Sequence, residues 1–259
     1  KQVETERYSK EAFMNGVLLP ELSIPIKMPG DGQRETHSFI QRKTFFFQPT
    51  IEGKFIIFYF PSILTEEGET DVLCIRTGDL DTKGEDKFDG NKNNIFPGLL
   101  HINKDVALEY RVPASSIRVN CLKQLTDKDY AYITGTVAYI PTSDGKNTSS
   151  ILNSFRNASG TFSQRLGTSA NTWVTQRNSA NVGSRIVYIP KDNNDYEFKT
   201  FGEIPKVLQC HIIWGTNCPM DLECMQIQIT RHIEIGIKPK WNDILMPFLK
   251  FQIVKFCFL

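Results

Sequence analysis

The chain has 259 residues, of which 40% are hydrophobic and 23% are charged. This is an ordinary balance for a globular protein with a sizeable core. Its formal net charge is +1, which excludes a basic field over the whole surface that would attract nucleic acid. No run of about 18 apolar residues occurs, so the sequence predicts no membrane-spanning helix. The 18 Phe and 8 Tyr residues favour strands over helices.

Prolines and glycines punctuate the start of the chain, residues 1–36. This composition predicts an extended arm and not a separate domain. Its few basic residues are offset by glutamates, so the arm is not a nucleic-acid-binding tail.

Strand patterns follow over residues 37–237. We predict eight strands, at 43–48, 54–60, 116–122, 130–140, 172–177, 184–189, 206–214 and 222–237. Residues 55–60 (FIIFYF) are apolar at every position, which is typical of a strand that is covered on both faces. Strands joined by turns or long excursions, with almost no helix, predict a two-sheet antiparallel sandwich. A count of eight indicates a jelly roll.

The stretch 222–237 (LECMQIQITRHIEIGI) carries the clearest pattern. Isoleucines and Met225 alternate with Gln226, Gln228, Thr230, His232 and Glu234, which predicts a long, half-buried strand. Arg231 interrupts the apolar side. A buried arginine requires a carboxylate partner, so this residue marks either the exit of the strand from the core or a subunit contact.

Two polar excursions interrupt the strands, at 65–94 and 142–184. In the first, Asp79 and Asp81 match the start of a helix-loop-helix calcium loop, but Lys83 and Gly90 stand where oxygen ligands belong. The excursion is therefore either a solvated acidic loop or a calcium site shared between subunits. The second is rich in Ser, Thr, Asn and Gly, and we interpret it as a surface elaboration that forms a projection.

The last segment, residues 238–259, is unusually apolar for a terminus. Such a tail must dock on its own domain, on a neighbouring subunit or on a membrane.

The order of several motifs resembles the capsid proteins of small icosahedral viruses. These motifs are Tyr110-Arg111-Val112, the strand SIRVN at 116–120, the strand TGTVAYIP at 134–141, and the I-x-R-H-x-E segment from Ile229 to Glu234. The group includes nodavirus-like and tombusvirus-like RNA virus capsids and single-stranded DNA virus capsids such as those of bacilladnaviruses. The resemblance implies a jelly-roll shell domain over 37–237, flanked by the arm and the tail.

The same resemblance implies a coat protein that assembles inside the host cell and resides in the virion. Its partners would be copies of itself in a closed shell, a single-stranded genome and a host-cell surface receptor. Nucleic acid would be held by non-specific phosphate contacts. The candidate side chains lie near strand ends: Arg42, Lys43, Arg118, Lys123, Lys238 and Lys240.

The sequence contains no G-x-S-x-G, H-E-x-x-H or P-loop motif, so it predicts neither an enzyme nor a cofactor. His211 and His232 fall on consecutive strands and could approach each other, with Glu234 as a third metal ligand. The other interpretation is that they are polar positions on a solvated or interface face of a sheet. A β-sandwich binding module of the lectin or adhesin type, using Trp173 or Trp214, is the alternative to the capsid hypothesis.

The six cysteines have no zinc-binding spacing. Free thiols at strand positions behave as small hydrophobic side chains, which favours reduced cysteines and intracellular assembly. A Cys218–Cys224 bridge is the alternative.

Overall fold

A computed structural model of the chain describes residues 10–28, 36–49, 53–63, 73–77, 108–122, 131–141, 173–174, 183–190, 193–200, 207–220 and 224–237. These residues include two helices, α1 (Lys10–Leu18) and α2 (Asn193–Tyr196). Their strands are β1 (Thr36–Phe47), β2 (Phe55–Tyr59), β3 (Leu73–Thr77), β4 (Leu108–Cys121), β5 (Tyr132–Pro141), β6 (Trp173–Val174), β7 (Gly183–Tyr188), β8 (Lys199–Thr200), β9 (Val207–Thr216) and β10 (Met225–Ile237).

The strands form two antiparallel sheets. In the first sheet the order is β1-β10-β4-β7, with β8 added beside β4. In the second sheet the order is β3-β2-β9-β5-β6. Consecutive strands therefore pass repeatedly from one sheet to the other, and the two sheets form a sandwich.

The pairing of the strands is nested. The first strand pairs with the last, β1 with β10, and β2 pairs with β9. Further in, β4 pairs with β7 and β5 pairs with β6. A chain that is folded back on itself in this way and wrapped into two sheets is a jelly roll. The predicted fold class is confirmed, although β3 and β8 are two strands that the sequence pattern did not reveal.

The hydrophobic core lies between the two sheets. It combines Ile117, Ile227 and Ile229 of the first sheet with Ile57 and Ile213 of the second. All five residues of β2 are buried, which confirms the prediction that this strand is covered on both faces. Burial of such large side chains is the main favourable term in the stability of the fold.

A tight backbone contact precedes β2. Gly53 has a φ of 62°, and a Cβ atom there would lie 2.2 Å from the carbonyl oxygen of Cys218. The backbone N–H of Cys218 donates a hydrogen bond to the carbonyl of Gly53 over 3.1 Å. Only glycine adopts this conformation without strain and leaves room for that contact.

The long strand β10 lies in the middle of the first sheet. Its register against β4 shifts between His232 and Glu234, because Ala114 pairs with the first and Arg111 with the second. Between these pairs, Val112 and Pro113 of β4 lie opposite the single residue Ile233 of β10, so β4 has one extra residue. Pro113 has no N–H to donate to the ladder, and a bulge is the expected place for it.

Part of the arm is not extended. Within the segment predicted as an extended arm, Lys10–Leu18 form the helix α1. This stretch contains no proline, and Glu11 in its first turn interacts favourably with the helix dipole. The first proline of the chain, Pro20, follows the end of the helix. The pattern of prolines was therefore extrapolated too far toward the N-terminus.

Several predicted features fall outside the described residues. They include the tail 238–259, Asp79 and Asp81, and most of the excursions 65–94 and 142–184, of which only β3, β6 and the beginning of β7 are described. Cys121, Cys210, Cys218 and Cys224 are free thiols, so no bridge joins Cys218 to Cys224. Within the described ranges, no helix combines the length and the apolar character needed to cross a bilayer.

Candidate assembly site on the outer face of the first sheet

Alternate residues of β10 face opposite sides of the first sheet. Ile227 and Ile229 belong to the core between the sheets, so their side of β10 is the inner face. Gln226, Gln228, Thr230, His232 and Glu234 therefore lie on the outer face. The N-terminal segment 10–28, which we call the docked arm, contacts the His232 and Glu234 end of this face.

His232 is completely buried and binds the backbone of the docked arm through both ring nitrogens. Nε2 lies 2.8 Å from the carbonyl oxygen of Pro20, and Nδ1 lies 3.4 Å from the backbone nitrogen of Ile26, which donates to it. These partners fit only the neutral ring with its proton on Nε2. Burial lowers the pKa of His232, and so does the charge of Arg42, while the Pro20 carbonyl and the charge of Glu21 act in the opposite direction.

Glu234 is the second buried attachment point for the docked arm. Its Oε2 accepts hydrogen bonds from Nε of Arg111 at 2.8 Å and from the backbone N–H of Met28 at 3.1 Å. Its Oε1 accepts one from the hydroxyl of Thr36 at 2.5 Å. A buried carboxylate requires such partners, since unpaired burial of its charge would cost several kcal/mol.

Arg111 extends this network to a third part of the chain. Its Nη1 donates to the carbonyl oxygen of Tyr196 at 3.0 Å. Its guanidinium carbon lies 4.3 Å from the centre of the Phe198 ring, a cation–π contact. The pair of Arg111 and Glu234 therefore connects β4 and β10 to the docked arm and to the segment between α2 and β8.

Apolar contacts attach α1 to the same face. Phe13 and Val17 of the helix pack with Ile26, Met28 and Ala114 in a small cluster that is separate from the main core. The cluster is buried, so it removes apolar surface of both the docked arm and the sheet from water.

One further ion pair holds the turn after α1. Arg185 on β7 donates to both carboxylate oxygens of Glu21 at 2.8 Å and to the carbonyl of Leu18 at 2.8 Å. Burial raises the pKa of Glu21, but hydrogen bonds from Arg185, from the backbone N–H of Glu21 and from Ser116, together with the charge of Arg185, outweigh it, and the net pKa is lowered. Glu21 therefore stays ionised beside Arg185.

The other end of the outer face is not covered by the docked arm. Arg118 is exposed and donates from Nε to Oδ1 of Asn120 at 2.9 Å. The side-chain amides of Gln228 and Gln226 form a hydrogen bond of 2.9 Å. Arg42, on β1, is also exposed, but it lies at the border of the docked arm, where it donates to the carbonyl of Glu21 at 3.3 Å.

The structure brings together two of the six basic residues that the sequence selected. Arg42 pairs with Thr230, and Arg118 pairs with Gln228, so both arginines lie on the outer face with β10 between their strands. Two strand spacings separate them by about 10 Å. Lys43 pairs with Ile229 and lies on the opposite face. Lys123, Lys238 and Lys240 lie outside the described residues.

The hypothesis that His211 and His232 approach each other and bind a metal ion with Glu234 was wrong. His211 lies on β9 in the second sheet and His232 on β10 in the first. His211 is buried, with Nε2 3.0 Å from Oε1 of Gln209 and its ring 5.9 Å from that of Tyr59. Burial lowers its pKa to about 3. In the part of the chain that the structure describes, no three His, Cys, Asp or Glu side chains form a metal-binding group.

Arg231 lies on the inner face, as the alternation predicted. It is fully buried, and its guanidinium donates to the carbonyl oxygen of Ile63 at 2.9 Å and to Oε1 of Gln41 at 3.0 Å. The sequence pattern predicted neither these partners nor the contacts of Arg111, Thr36 and Glu21. The one available signal was the position of Arg231 among the isoleucines of its strand.

Comparison with solved structures identifies the architecture. No protein-family model matches the chain, and no curated protein sequence matches it. The structure of the infectious bursal disease virus Gx strain superposes with a TM-score of 0.56 at 8% identity, covering 94% of this chain and 93% of the other. The crystal structure of the infectious bursal disease virus VP2 subviral particle gives 0.54 at 9% identity, covering 90% and 88%.

The structure of the infectious bursal disease virus Gt strain gives a TM-score of 0.54 at 10% identity, covering 90% of this chain and 87% of the other. The chain has a jelly-roll fold similar to the folds in these virus particles. At these identities the likeness concerns the fold, and it confirms the architecture that the motif resemblance implied. The match extends over most of both chains, so it includes both sheets of the jelly roll.

Proposed function

We propose that the chain is a capsid protein that assembles with copies of itself into a closed icosahedral shell. The observation that supports it most is the nested jelly roll, which superposes on the VP2 subviral particle over 90% of this chain and 88% of that one.

The docked arm supports an assembly role. It is attached by the N–H of Met28, which donates to the buried carboxylate of Glu234, by the buried imidazole of His232 and by an apolar cluster around Phe13. These contacts make it an integral part of the subunit. It would then enter the shell in one fixed orientation, together with the basic residues beside it.

Particle size tests the proposal directly. The purified chain is measured by light scattering and by negative-stain imaging across a range of pH and salt. We expect uniform closed shells tens of nanometres across. A monodisperse monomer or dimer under every condition would contradict the capsid proposal and favour the lectin-like or adhesin-like binding module.

We further propose that the genome contacts the outer face through Arg42, at the border of the docked arm, and Arg118, beyond it. Both are exposed and lie on one face about two strand spacings, roughly 10 Å, apart. This separation allows contacts to different phosphates of one single strand. Such contacts carry no sequence preference and weaken with salt.

The test is the salt dependence of binding to a single-stranded oligonucleotide. Each phosphate contact contributes a slope of about −0.7 in a plot of log K against log salt for single strands. The double variant Arg42→Gln/Arg118→Gln is therefore expected to reduce the slope by about 1.4. Lys43→Gln is the matched control for the single variant Arg42→Gln, because each removes one positive charge from β1, but from opposite faces. An equal loss in the control would contradict the assignment of this face.

A calcium ion between subunits, held by Asp79 and Asp81, is a separate proposal that rests on the sequence alone. Calcium prefers carboxylate oxygens from several ligands. The variant Asp79→Asn/Asp81→Asn should then abolish any stabilisation of particles by added calcium, measured as the temperature of shell disassembly. Particles that are indifferent to both calcium and chelator would exclude such a site.

A further inference from the structure

The docked arm is apolar on two sides. Phe13, Val17 and Ile26 face the sheet and are buried. On its other side a set of large apolar side chains is exposed, and we call this set the apolar ridge: Met14, Leu18, Leu19, Leu22 and Ile24. Leu22 is 81% exposed, and the other four are 50–54% exposed.

Single exposed apolar residues are normal, whereas contiguous groups mark a surface that something covers. The five ridge residues fall within eleven consecutive positions of one helix and the turn that follows it. This density is what separates the ridge from the scattered exposed residues elsewhere, such as Tyr139 and Leu122.

The area of the ridge argues against a second copy as its main occupant. Five half-exposed side chains offer on the order of 500 Å², while a stable interface buries about 800 Å² on each partner. A segment of the same chain needs less area, because it is already tethered and loses less freedom on docking.

The end of β10 points to that segment. Gly236 pairs with Thr36, and Met28 binds Glu234, so β10 ends beside the point where the docked arm ends. The turn at Pro20 and Ser23, which carries the ridge, contacts His232. His232 lies five residues before Ile237, a distance of about 17 Å along a strand.

The chain that follows β10 has the right composition and length. Of the 19 residues from Trp241 to Leu259, 13 are apolar. The 22 residues after Ile237 reach about 33 Å even as a helix and more when extended. Either form spans the distance to the ridge.

We propose that residues 241–259 dock on the apolar ridge of their own chain, so that the two ends of the chain cover each other on the outer face of the first sheet. The proposal concerns the subunit alone and does not depend on its function as a capsid protein. The docked arm, with its apolar ridge, then becomes a buried layer between the sheet and residues 241–259.

Photo-crosslinking of the full chain tests this contact. The photoreactive amino acid benzoylphenylalanine replaces Leu22, whose exposure makes the change tolerable for folding. After irradiation, crosslinked peptides are identified by mass spectrometry. We expect crosslinks from position 22 to peptides within 241–259. The matched control carries the same probe at Tyr139, which is 43% exposed on the second sheet, and should give none.

A mixture of ¹⁴N- and ¹⁵N-labelled chains, combined before irradiation, separates the occupants. Crosslinks within one chain contain a single isotope, and this result supports the proposal. Mixed-isotope crosslinks would assign the ridge to another copy and overturn it, as would crosslinks that avoid 241–259.

A second measurement does not rely on the probe. A chain that ends at Lys240 should bind an apolar dye such as bis-ANS with a several-fold increase in fluorescence. The added substitutions Leu18→Ser, Leu22→Ser and Ile24→Ser should remove most of that increase. If the shortened chain binds no more dye than the full chain, or if the increase persists after these substitutions, the ridge is not the docking surface.

Discussion

The outer face of β10 carries polar side chains at both of its ends, but these side chains differ in their exposure to solvent. At one end Gln226 and Gln228 are partly exposed and bind each other. At the other end His232 and Glu234 are at most 1% exposed and bind the docked arm. The alternation along the strand is the same at both ends. The burial of His232 and Glu234 is therefore due to the docked arm, whose Met28 lies 206 residues before Glu234 in the sequence. The predictions below follow from this difference between the two ends.

The largest effect is expected at the buried ion pair. Glu234→Ala leaves the guanidinium of Arg111 buried without its carboxylate, which should lower the free energy of unfolding by about 3–5 kcal/mol. Gln228→Ala, on the same face of the same strand, should change it by less than about 0.5 kcal/mol. Urea unfolding measures both. Equal effects at the two positions would remove the distinction between the two ends.

The next effect concerns the apolar cluster under α1. Phe13→Ala removes most of the helix side of the cluster and should cost about 3 kcal/mol. It should also speed hydrogen exchange at the amides of Ile26 and Met28, which donate to His232 and Glu234. Leu122→Ala, at a half-exposed apolar residue, is the control. If hydrogen exchange at these amides is unchanged in the Phe13 variant, the polar contacts are sufficient to hold the docked arm without the apolar cluster.

Acid is expected to release the docked arm through His232. Its folded pKa lies below the ordinary value of 6.5, so the released state binds the proton first. Docking is then unaffected above pH 6.5 and weakens below it, by up to about 1.4 kcal/mol per pH unit, until the folded pKa is reached. Once Nδ1 is protonated it can no longer accept the hydrogen bond from the backbone N–H of Ile26, and the two N–H groups repel each other.

Exchange at the Ile26 amide, compared at pH 7.5 and pH 5.5 after correction for intrinsic rates, measures this release. His232→Gln retains a donor for the Pro20 carbonyl but does not titrate, and its exchange should not depend on pH in this range. The charges facing the ring are Arg42, Glu21 and the pair of Glu234 with Arg111. A pH dependence that persists in His232→Gln would assign it to Glu21 or to another of these groups.

His211 should respond to acid in a different way. Its pKa is lowered to about 3, and it lies between the sheets, so its protonation is coupled to global unfolding. Stability should fall by up to about 1.4 kcal/mol per pH unit from pH 6.5 down to about 3. In His211→Gln, the free energy of global unfolding should no longer show this part of the pH dependence. Hydrogen exchange at the Ile26 amide of the same variant should still show the pH dependence due to His232.

The smallest effect is expected at the partly exposed ion pair. The side chains of Arg185 and Glu21 are 33% and 29% exposed, and such pairs contribute about 0.2–1 kcal/mol. Glu21→Gln should cost about 0.5 kcal/mol at low salt and less at 1 M salt, because salt screens exposed charges. A loss as large as that of Glu234→Ala would show that exposure does not decide the strength of these pairs.

The sequence was sufficient to predict what depends on local alternation. The strand expected at 222–237 is Met225–Ile237, and the residues assigned to its two faces lie on those faces. Phe55–Tyr59 is buried on both sides, as its continuous apolar pattern indicated. These features follow from the period of two in a strand and need no knowledge of distant segments.

The contacts of the site required the topology. His211 and His232 were expected to approach each other because their strands follow one another in the chain. In a jelly roll, however, β9 and β10 belong to different sheets. The partners of Glu234 come from residues 28, 36 and 111, and no local pattern relates these positions. The strand β3 was also not predicted, because it lies within an excursion whose polar composition is typical of a loop.

The nested pairing also has a consequence for synthesis. Because β1 pairs with β10 along its whole length, the first sheet lacks its central strand until residue 237 has left the ribosome. Long-range pairing of this kind makes folding slow. Until then the edges of β1 and β4 that pair with β10 carry unpaired backbone groups, and the nascent chain cannot form a complete first sheet.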